Sequence, residues 1–296
     1  MGKGRVIPRE AFKQHEKLAK ALHSRLLELV APLPKRVAVL LSSGVDSHAV
    51  LFACLEAKKQ VATYTFGVRG VSSKDVRVAA RTADELKLPW TFIELNPSVE
   101  ELRSYLRLLY SDSVGAKIHI NKSSVECLWP MLRTLPHVDE KCVVVGMGGD
   151  VPYATTRSTK KQALHSFEEH LKARQEYART ASRRKDPQSV CTDNWIAANR
   201  RGMRVVQPLA DPRFLELHRS MHPIHEGWNP IQKAPLRLAF YDWFARCPAL
   251  IHQSYNAGDT GISDAFEKLL TQSFEGKKFK SVRGLYSAIE RGEVKP

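Results

Sequence analysis

The run VAVLLSSGVDS, Val37 to Ser47, constrains this chain more than any other stretch: an uncharged segment, a polar turn, then apolar residues at helical spacing. Val37 to Leu41 carries no charge, as a central parallel strand covered on both faces requires. Val50, Leu51, Cys54 and Leu55 follow at the spacing of a helix face. Such a strand, loop and helix bring the unpaired N–H groups of a helix start to the carboxyl edge of a sheet, where an anion is favoured. Ser42, Ser43 and Ser47 add hydroxyl donors, and Gly44 permits close backbone approach. Asp46 is out of place beside an anion alone, and a carboxylate next to phosphates implies a cation between them, most aptly Mg²⁺. The turn is too short for G-x-x-x-x-G-K-[ST] and no lysine follows, which excludes the usual P-loop. An ordinary polar turn accounts for the serines and the glycine equally well, so the aspartate carries the reading.

The chain around this unit alternates strand and helix. Phe12, Leu18, Ala19, Leu22, Leu26, Leu27 and Val30 predict an amphipathic helix over Arg9 to Val30, ended by Pro32 and Pro34. Strands are expected at Val61 to Phe66, Trp90 to Leu95 and Cys142 to Val145, and helices at Asp75 to Leu86, Val99 to Tyr110 and Val125 to Leu135. Ser123 or Ser124 is the expected cap of the last of these, and its Pro130 predicts a kink or a late start. The pattern argues for an α/β fold, a parallel twisted sheet with helices on both faces, and ligands beyond the carboxyl ends of the strands. VVVGMGGDVPYA, residues 143 to 154, repeats the first unit's logic: a strand ends in a glycine-rich turn that presents one carboxylate, Asp150. That residue is either a turn or cap aspartate or, with Asp46, one of two strand-end ligands for a divalent cation on a triphosphate.

The net charge of +15, from 46 Lys and Arg against 31 Asp and Glu, is unusual. Its positives concentrate at Arg157 to Lys185 and Lys277 to Lys295, and these segments read either as solvated helical faces or as a nucleic-acid surface. Neither is interleaved with stacking aromatics as in a single-strand binder. The five cysteines, Cys54, Cys127, Cys142, Cys191 and Cys247, form no C-x-x-C, which argues against a zinc or iron–sulfur site and for reduced, mostly buried thiols. With no signal-peptide core and no apolar run of membrane-spanning length, a cytoplasmic protein without a membrane partner is expected.

SSGVDS resembles the pyrophosphate-binding SGGxDS loop of the N-type ATP pyrophosphatases, with Ser43 in place of a family glycine. VVVGMGGDVPYA resembles the sGeGaDE segment of the asparagine-synthetase-like family. VVQPLADPRFLEL (205–217) is similar to that family's RxPxLDxxxxEx segment, with Gln207 for arginine and Asp211 retained. IQKAPLRLAF (231–240) is similar to its KxxLRxA helix and keeps Lys233 and Arg237. The resemblance covers the synthetase domain and implies an adenine nucleotide alpha hydrolase-like fold. It implies an N-terminal helix in residues 1–35, an ATP-binding core in 36–155, and a mainly helical part in 156–296 that completes the site, with a basic tail from 274.

The activity so implied is an ATP-dependent amide ligase. A small or carrier-borne carboxylate is adenylated with loss of pyrophosphate, then passed to ammonia or an amine, with no glutaminase domain of its own. ATP would lie against Leu41, Ser42, Ser43, Gly44, Val45, Asp46 and Ser47, its adenine along Thr63 to Gly67, including Thr65 and Phe66, and beside Val145 and Gly146. Mg²⁺ would bind Asp46 and Asp150, and Lys233 and Arg237 would reach phosphate or substrate carboxylate. At i and i+4 those two cations share a helix face and repel unless an acid lies between them.

Further departures from the family bear on its chemistry. Its acid/base residue falls on Met147, which cannot titrate, and its glutamate on Val151. The lysine expected near Ser254-Tyr255-Asn256 is absent, since no lysine stands between Lys233 and Lys268. Tyr153, Tyr255, His252 and Glu126 are candidate replacements. Two other functions therefore compete with the ligase: a nucleic-acid-modifying ATP pyrophosphatase, and a degenerate ATP-binding module.

Overall fold

The computed structural model describes residues 15–110, 122–150, 152–153, 168–169, 172, 202–218, 232–249, 259–272 and 274–295. Helix α1 (Glu16–Val30) leads into strand β1 (Arg36–Leu40), helix α2 (Val45–Glu56), β2 (Gln60–Val68), α3 (Lys74–Glu85), β3 (Trp90–Leu95) and α4 (Val99–Tyr110). Then come α5 (Lys122–Thr134), β4 (Cys142–Val145), β5 (Arg204–Val206), α6 (Pro212–Glu216), α7 (Ala234–Ala239), α8 (Tyr241–Arg246), α9 (Ile262–Thr271) and α10 (Val282–Glu290). All strand pairs are parallel, in the order β3-β2-β1-β4-β5. β5 is an addition to the expected strands. Three residues are too few to show a period, and it joins the sheet by pairing Val143 with Val205. Among the described residues no helix is long and apolar enough to cross a membrane.

Alternation along the strands divides the core in two. Ala38, Leu40, Tyr64, Phe66, Val143 and Val145 face one hydrophobic cluster, built with α4, α5, α9 and α10. Val37, Val39, Leu41, Val61, Cys142 and Val144 face the other, built with α1, α2, α7 and α8. Helices therefore cover both faces, which is why the central strands tolerate no charge. α2 is buried almost all round, since α1 and α7 cover the side that the sheet does not. The expected first helix is observed from Glu16, and residues 9–14 lie outside those described. α5 starts earlier than expected, at Lys122, and carries Pro130 inside it. Val282, Leu285, Tyr286 and Ile289 bury one face of α10, as their spacing predicts.

The strand order jumps from the β3 side to β4, so β1 and β4 are neighbours whose connections leave in opposite directions. A crevice at such a switch point, beyond the carboxyl ends, is where open α/β sheets hold ligands. The loop after β1 carries Asp46 and the loop after β4 carries Asp150.

Two buried histidines bond neighbouring segments together near this point. His48 Nδ1 donates to Gly44 O (2.9 Å) and Nε2 accepts from Thr82 Oγ1 (2.9 Å). His218 Nδ1 donates to Phe214 O (3.2 Å) and Nε2 accepts from the Tyr153 hydroxyl (3.2 Å). Burial lowers both to a pKa of about 4. The unfolded chain takes up these protons near pH 6.5, whereas the native one refuses them until about pH 4, so stability falls as pH drops between those values. Each histidine contributes a slope of up to about 1.4 kcal/mol per pH unit. Urea midpoints at pH 7, 5.5 and 4.5 should decline, and less steeply in His48→Gln; equal slopes in the two proteins would show that His48 does not hold its proton off.

Candidate active site

The SSGVDS loop is shaped by its own serines. Ser47 Oγ lies within hydrogen-bond distance of Ser42 O (3.1 Å), Gly44 O (3.1 Å) and Ser42 Oγ (3.0 Å), and it accepts from Ser42 N (3.2 Å). Ser42 Oγ also accepts from Gly44 N (3.2 Å). Ser43 donates its hydroxyl and its N–H, the latter at 3.0 Å, to one carboxylate oxygen of Asp75. The three hydroxyls expected as donors to an anion are thus occupied in forming the loop. The N–H groups opening α2 have no partner within the helix itself.

Asp75 sits in the first turn of α3, next to the capping residue Ser73, and is buried. In sequence it passes for an acid complementing a helix dipole. It is braced from far along the chain: Asp259 accepts from Ser73 Oγ (2.8 Å), Lys74 N and Asp75 N (3.4 Å). Those hydrogen bonds outweigh desolvation and hold the Asp259 carboxyl below its ordinary pKa.

The glycines of the second loop let it close on the first. A methyl group on Gly146 would lie 2.5 Å from Ser47 N and 2.6 Å from Asp46 C, and one on Gly149 would overlap the Asp46 carboxylate. This contact brings Asp46 and Asp150 together around Lys233. The Lys233 ammonium is 2.5 Å from Asp46 Oδ2 and 2.6 Å from Asp150 Oδ1, and lies 6.0 Å from the centre of the Tyr153 ring. Lys233 is 1% exposed. Burial is the largest single influence on it and disfavours the charged form, but the attractions and hydrogen bonds of Asp150 and Asp46 together prevail and raise its pKa. It is a full cation at neutral pH.

Lys233 and Arg237 do not share a helix face. Lys233 precedes α7 as its N-cap, with φ 56°, and so stands outside the helix that carries Arg237. Asp46 is the acid between them, since its charge also supports the Arg237 cation. Burial in turn lowers Arg237 to a pKa of about 10. Arg237 donates from Nε to Gln232 O (3.0 Å) and stacks 5.5 Å from the Phe244 ring, so its guanidinium braces α7 and α8.

A cleft of about 260 Å³ opens over these loops. Of the expected ATP-binding residues, Leu41, Ser42, Ser43, Gly44, Asp46, Ser47, Phe66, Val145 and Gly146 line it, with Asp150. Val45 and Thr65 are not on its wall. Val45 is buried in the core, and Thr65 Oγ1 donates to Leu41 O (2.9 Å) and accepts from Trp90 Nε1 (3.0 Å). Residues that the sequence reading did not assign to the nucleotide, Leu40, Asp75, Cys127, Met131, Met147 and Gly148, complete the wall. Met147 stands in the cleft where the family pattern has its acid. Of the candidate replacements, Glu126 is fully buried and accepts from Ser263 Oγ (2.5 Å), and Tyr153 is held by His218. His252 and Tyr255 lie outside the described residues, as do Ser254, Asn256 and Val151.

The donor set fits Mg²⁺ carried by phosphates. Two carboxylates already gathered round one cation are what that ion takes from a protein when phosphate oxygens supply the rest. Among the described residues no group of three or more His, Cys, Asp or Glu could hold a metal alone. Burial raises the Cys54 thiol to a pKa of about 12 and the Cys247 thiol to about 11.

No curated protein matches the sequence. Among solved structures, the U34-tRNA thiolase NcsA from Methanococcus maripaludis with its [4Fe-4S] cluster aligns at 14% identity and a TM-score of 0.36, covering 90% of this chain and 84% of that one. The asparagine synthase family model matches residues 14–189, more than half of the 296, and spans both aspartate-bearing loops. By that match, and by the two strand-end loops closed on each other at the switch point of a parallel sheet, the chain belongs to the asparagine synthase family.

Proposed function

We propose that the protein is an ATP-dependent, AMP- and pyrophosphate-forming amide ligase, acting on a small or carrier-borne carboxylate in a cytoplasmic setting. The observation that carries this is the convergence of Asp46 and Asp150, both on the cleft wall, around the buried Lys233 ammonium. A substrate carboxylate oxygen attacks the α-phosphorus, the bond to the β-phosphate bridge breaks, and pyrophosphate departs toward the opening of α2. Ammonia or an amine then attacks the acyl carbon, the bond to AMP breaks and the nitrogen sheds a proton. Asp46 and Asp150 would hold Mg²⁺, which when bound offsets charge on the leaving pyrophosphate. Lys233 contributes a buried positive charge that needs no reorganisation during the reaction. The apolar wall of Phe66, Val145, Met131 and Met147 suits a purine base.

The test is pyrophosphate release from Mg-ATP with ammonia and a panel of carboxylates. Acid-dependent release is expected, reduced on the order of 10²–10³-fold in Asp46→Ala. Release with no acid dependence would overturn the ligase reading. Because Met147 cannot titrate, the amide step is scored separately. Carboxylate-dependent exchange of pyrophosphate into ATP without amide would assign the chain to acyl-adenylate formation alone.

Nucleotide occupancy has its own readout. Cys127 is half-buried on the cleft wall, whereas Cys54, Cys142 and Cys247 are buried. Alkylation of Cys127 by a maleimide, mapped by peptide mass, should slow several-fold in Mg-ATP. Labelling at the same rate with and without nucleotide would remove the base from this wall.

A further inference from the structure

We propose that the turn and helix start from Lys277 to Arg283 form a docking surface for the phosphate backbone of a structured nucleic acid. The sequence KKFKSVR puts four cations in seven residues, and all four are exposed. Lys277 donates to Glu293 O (3.0 Å), and Lys278, Lys280 and Arg283 form no ion pair among the described residues. Phe279 between them packs on the core and its N–H bonds Thr271 O (3.1 Å), so the flanking lysines are borne on an anchored residue.

Three acids of the same unit have partners besides the four cations, although the Glu293 charge also acts with Lys277. Glu293 pairs with Arg291 (2.5 Å), Glu275 accepts from Lys295 N (3.1 Å), and Glu267 accepts from Val282 N (3.2 Å). The first turn of α10 holds Arg283 and no acid. The Glu267 carboxylate on Val282 N already supplies the acid at this helix start, so contact with phosphates falls to the exposed side-chain cations. Exposed Lys and Arg side chains and a serine are donor types that position proteins on phosphate backbones.

A bilayer fits less well. Binding to a membrane surface wants an apolar face beside the charge, and the apolar face of α10 is turned inward. The large exposed hydrophobics among the described residues are Val71, Trp90 and Phe92, none of them in this unit. No aromatic on the turn is placed for stacking bases, which favours a duplex over a single strand.

The test is fluorescence anisotropy of the full chain with a labelled 20-base-pair RNA duplex and a DNA duplex of the same sequence, from 50 to 200 mM KCl without ATP. Salt-dependent binding is expected. The variant carrying Lys278→Gln, Lys280→Gln and Arg283→Gln should melt with the parent yet flatten the DNA plot of log K against log salt by about 2.7, three contacts at 0.9 each. Asp46→Ala should bind as the parent does, so failure of the ligase reading leaves this one standing. Binding of one duplex alone supports the proposal and names the acid. An unchanged slope in the triple variant, absence of salt-dependent binding by the parent, or binding to phosphatidylserine vesicles in place of both duplexes overturns it.

Discussion

Lys233→Met should be the most disruptive single substitution at the site, lowering stability by about 3 kcal/mol and pyrophosphate release on the order of 10²–10³-fold. Removing one partner of a buried ionic cluster leaves the others without their counter-charge, at a cost of roughly 3–5 kcal/mol. The lower figure applies because the Asp46 and Asp150 side chains keep 15% and 39% exposure, so water reaches the carboxylates that are left. Methionine keeps the volume of the stem, which makes lost charge the main change. Two signatures separate this from loss of packing. The deficit against the parent should shrink as pH falls, because two carboxylates facing each other bind a proton more readily than either alone. It should also shrink in millimolar Mg²⁺, which can take the place of the missing ammonium in the variant and has less to gain in the parent. In the parent, the raised pKa of Lys233 gives stability that is present throughout the neutral range and lost only as pH climbs above the lysine's ordinary 10.5. Urea midpoints at pH 5, 7 and 9.5, with and without Mg²⁺, decide the matter. A variant as stable as its parent at every pH would mean that the cluster contributes nothing to the fold.

How much of this was legible in the sequence follows from the range of the interactions concerned. The strands could be read because a central parallel strand excludes charge over its whole length, and Val37 to Leu41 does so. Each loop alone reads equally as an ordinary turn, and the two could be read because the same strand, glycine and aspartate pattern occurs twice. Lys233 could not be placed, because its partner Asp46 is 187 residues away and nothing near the lysine records that distance. Local spacing even pointed elsewhere, to a helix face shared with Arg237, and a left-handed N-cap on a non-glycine residue broke that inference. Asp75 was hidden by a commoner use of its residue type, since an acid in a first helical turn needs no further explanation. The serines of the loop were read as ligand donors because hydroxyls are equally good partners for a phosphate and for one another. The structure gives them to one another and to Asp75.

The glycines show the same limit, and they carry the second prediction. Gly44 was the natural choice for the position that needs close approach, yet its φ is −75° and an added methyl would meet only Ser42 Oγ, at 3.4 Å. The position packed tightly against the backbone of the first loop is Gly146, where the added carbon meets Asp46 and Ser47 at 2.5–2.9 Å. Those atoms open α2 and are held by the Ser42 and Ser47 hydrogen bonds, so they cannot yield as a flexible side chain would. Gly146→Ala should therefore cost about 3 kcal/mol, the upper part of the range for overpacking. It should also weaken Mg-ATP binding, because the second loop must back away from the first and take Asp150 with it. Gly44→Ala, with room for its methyl, should stay within about 0.5 kcal/mol of the parent. Thermal melts of the two variants beside nucleotide protection of Cys127 give both answers at once. The closed pair of loops is refuted if Gly146→Ala melts with the parent and its Cys127 is still shielded by Mg-ATP, because the two aspartates would then reach the nucleotide without the contact that brings them together.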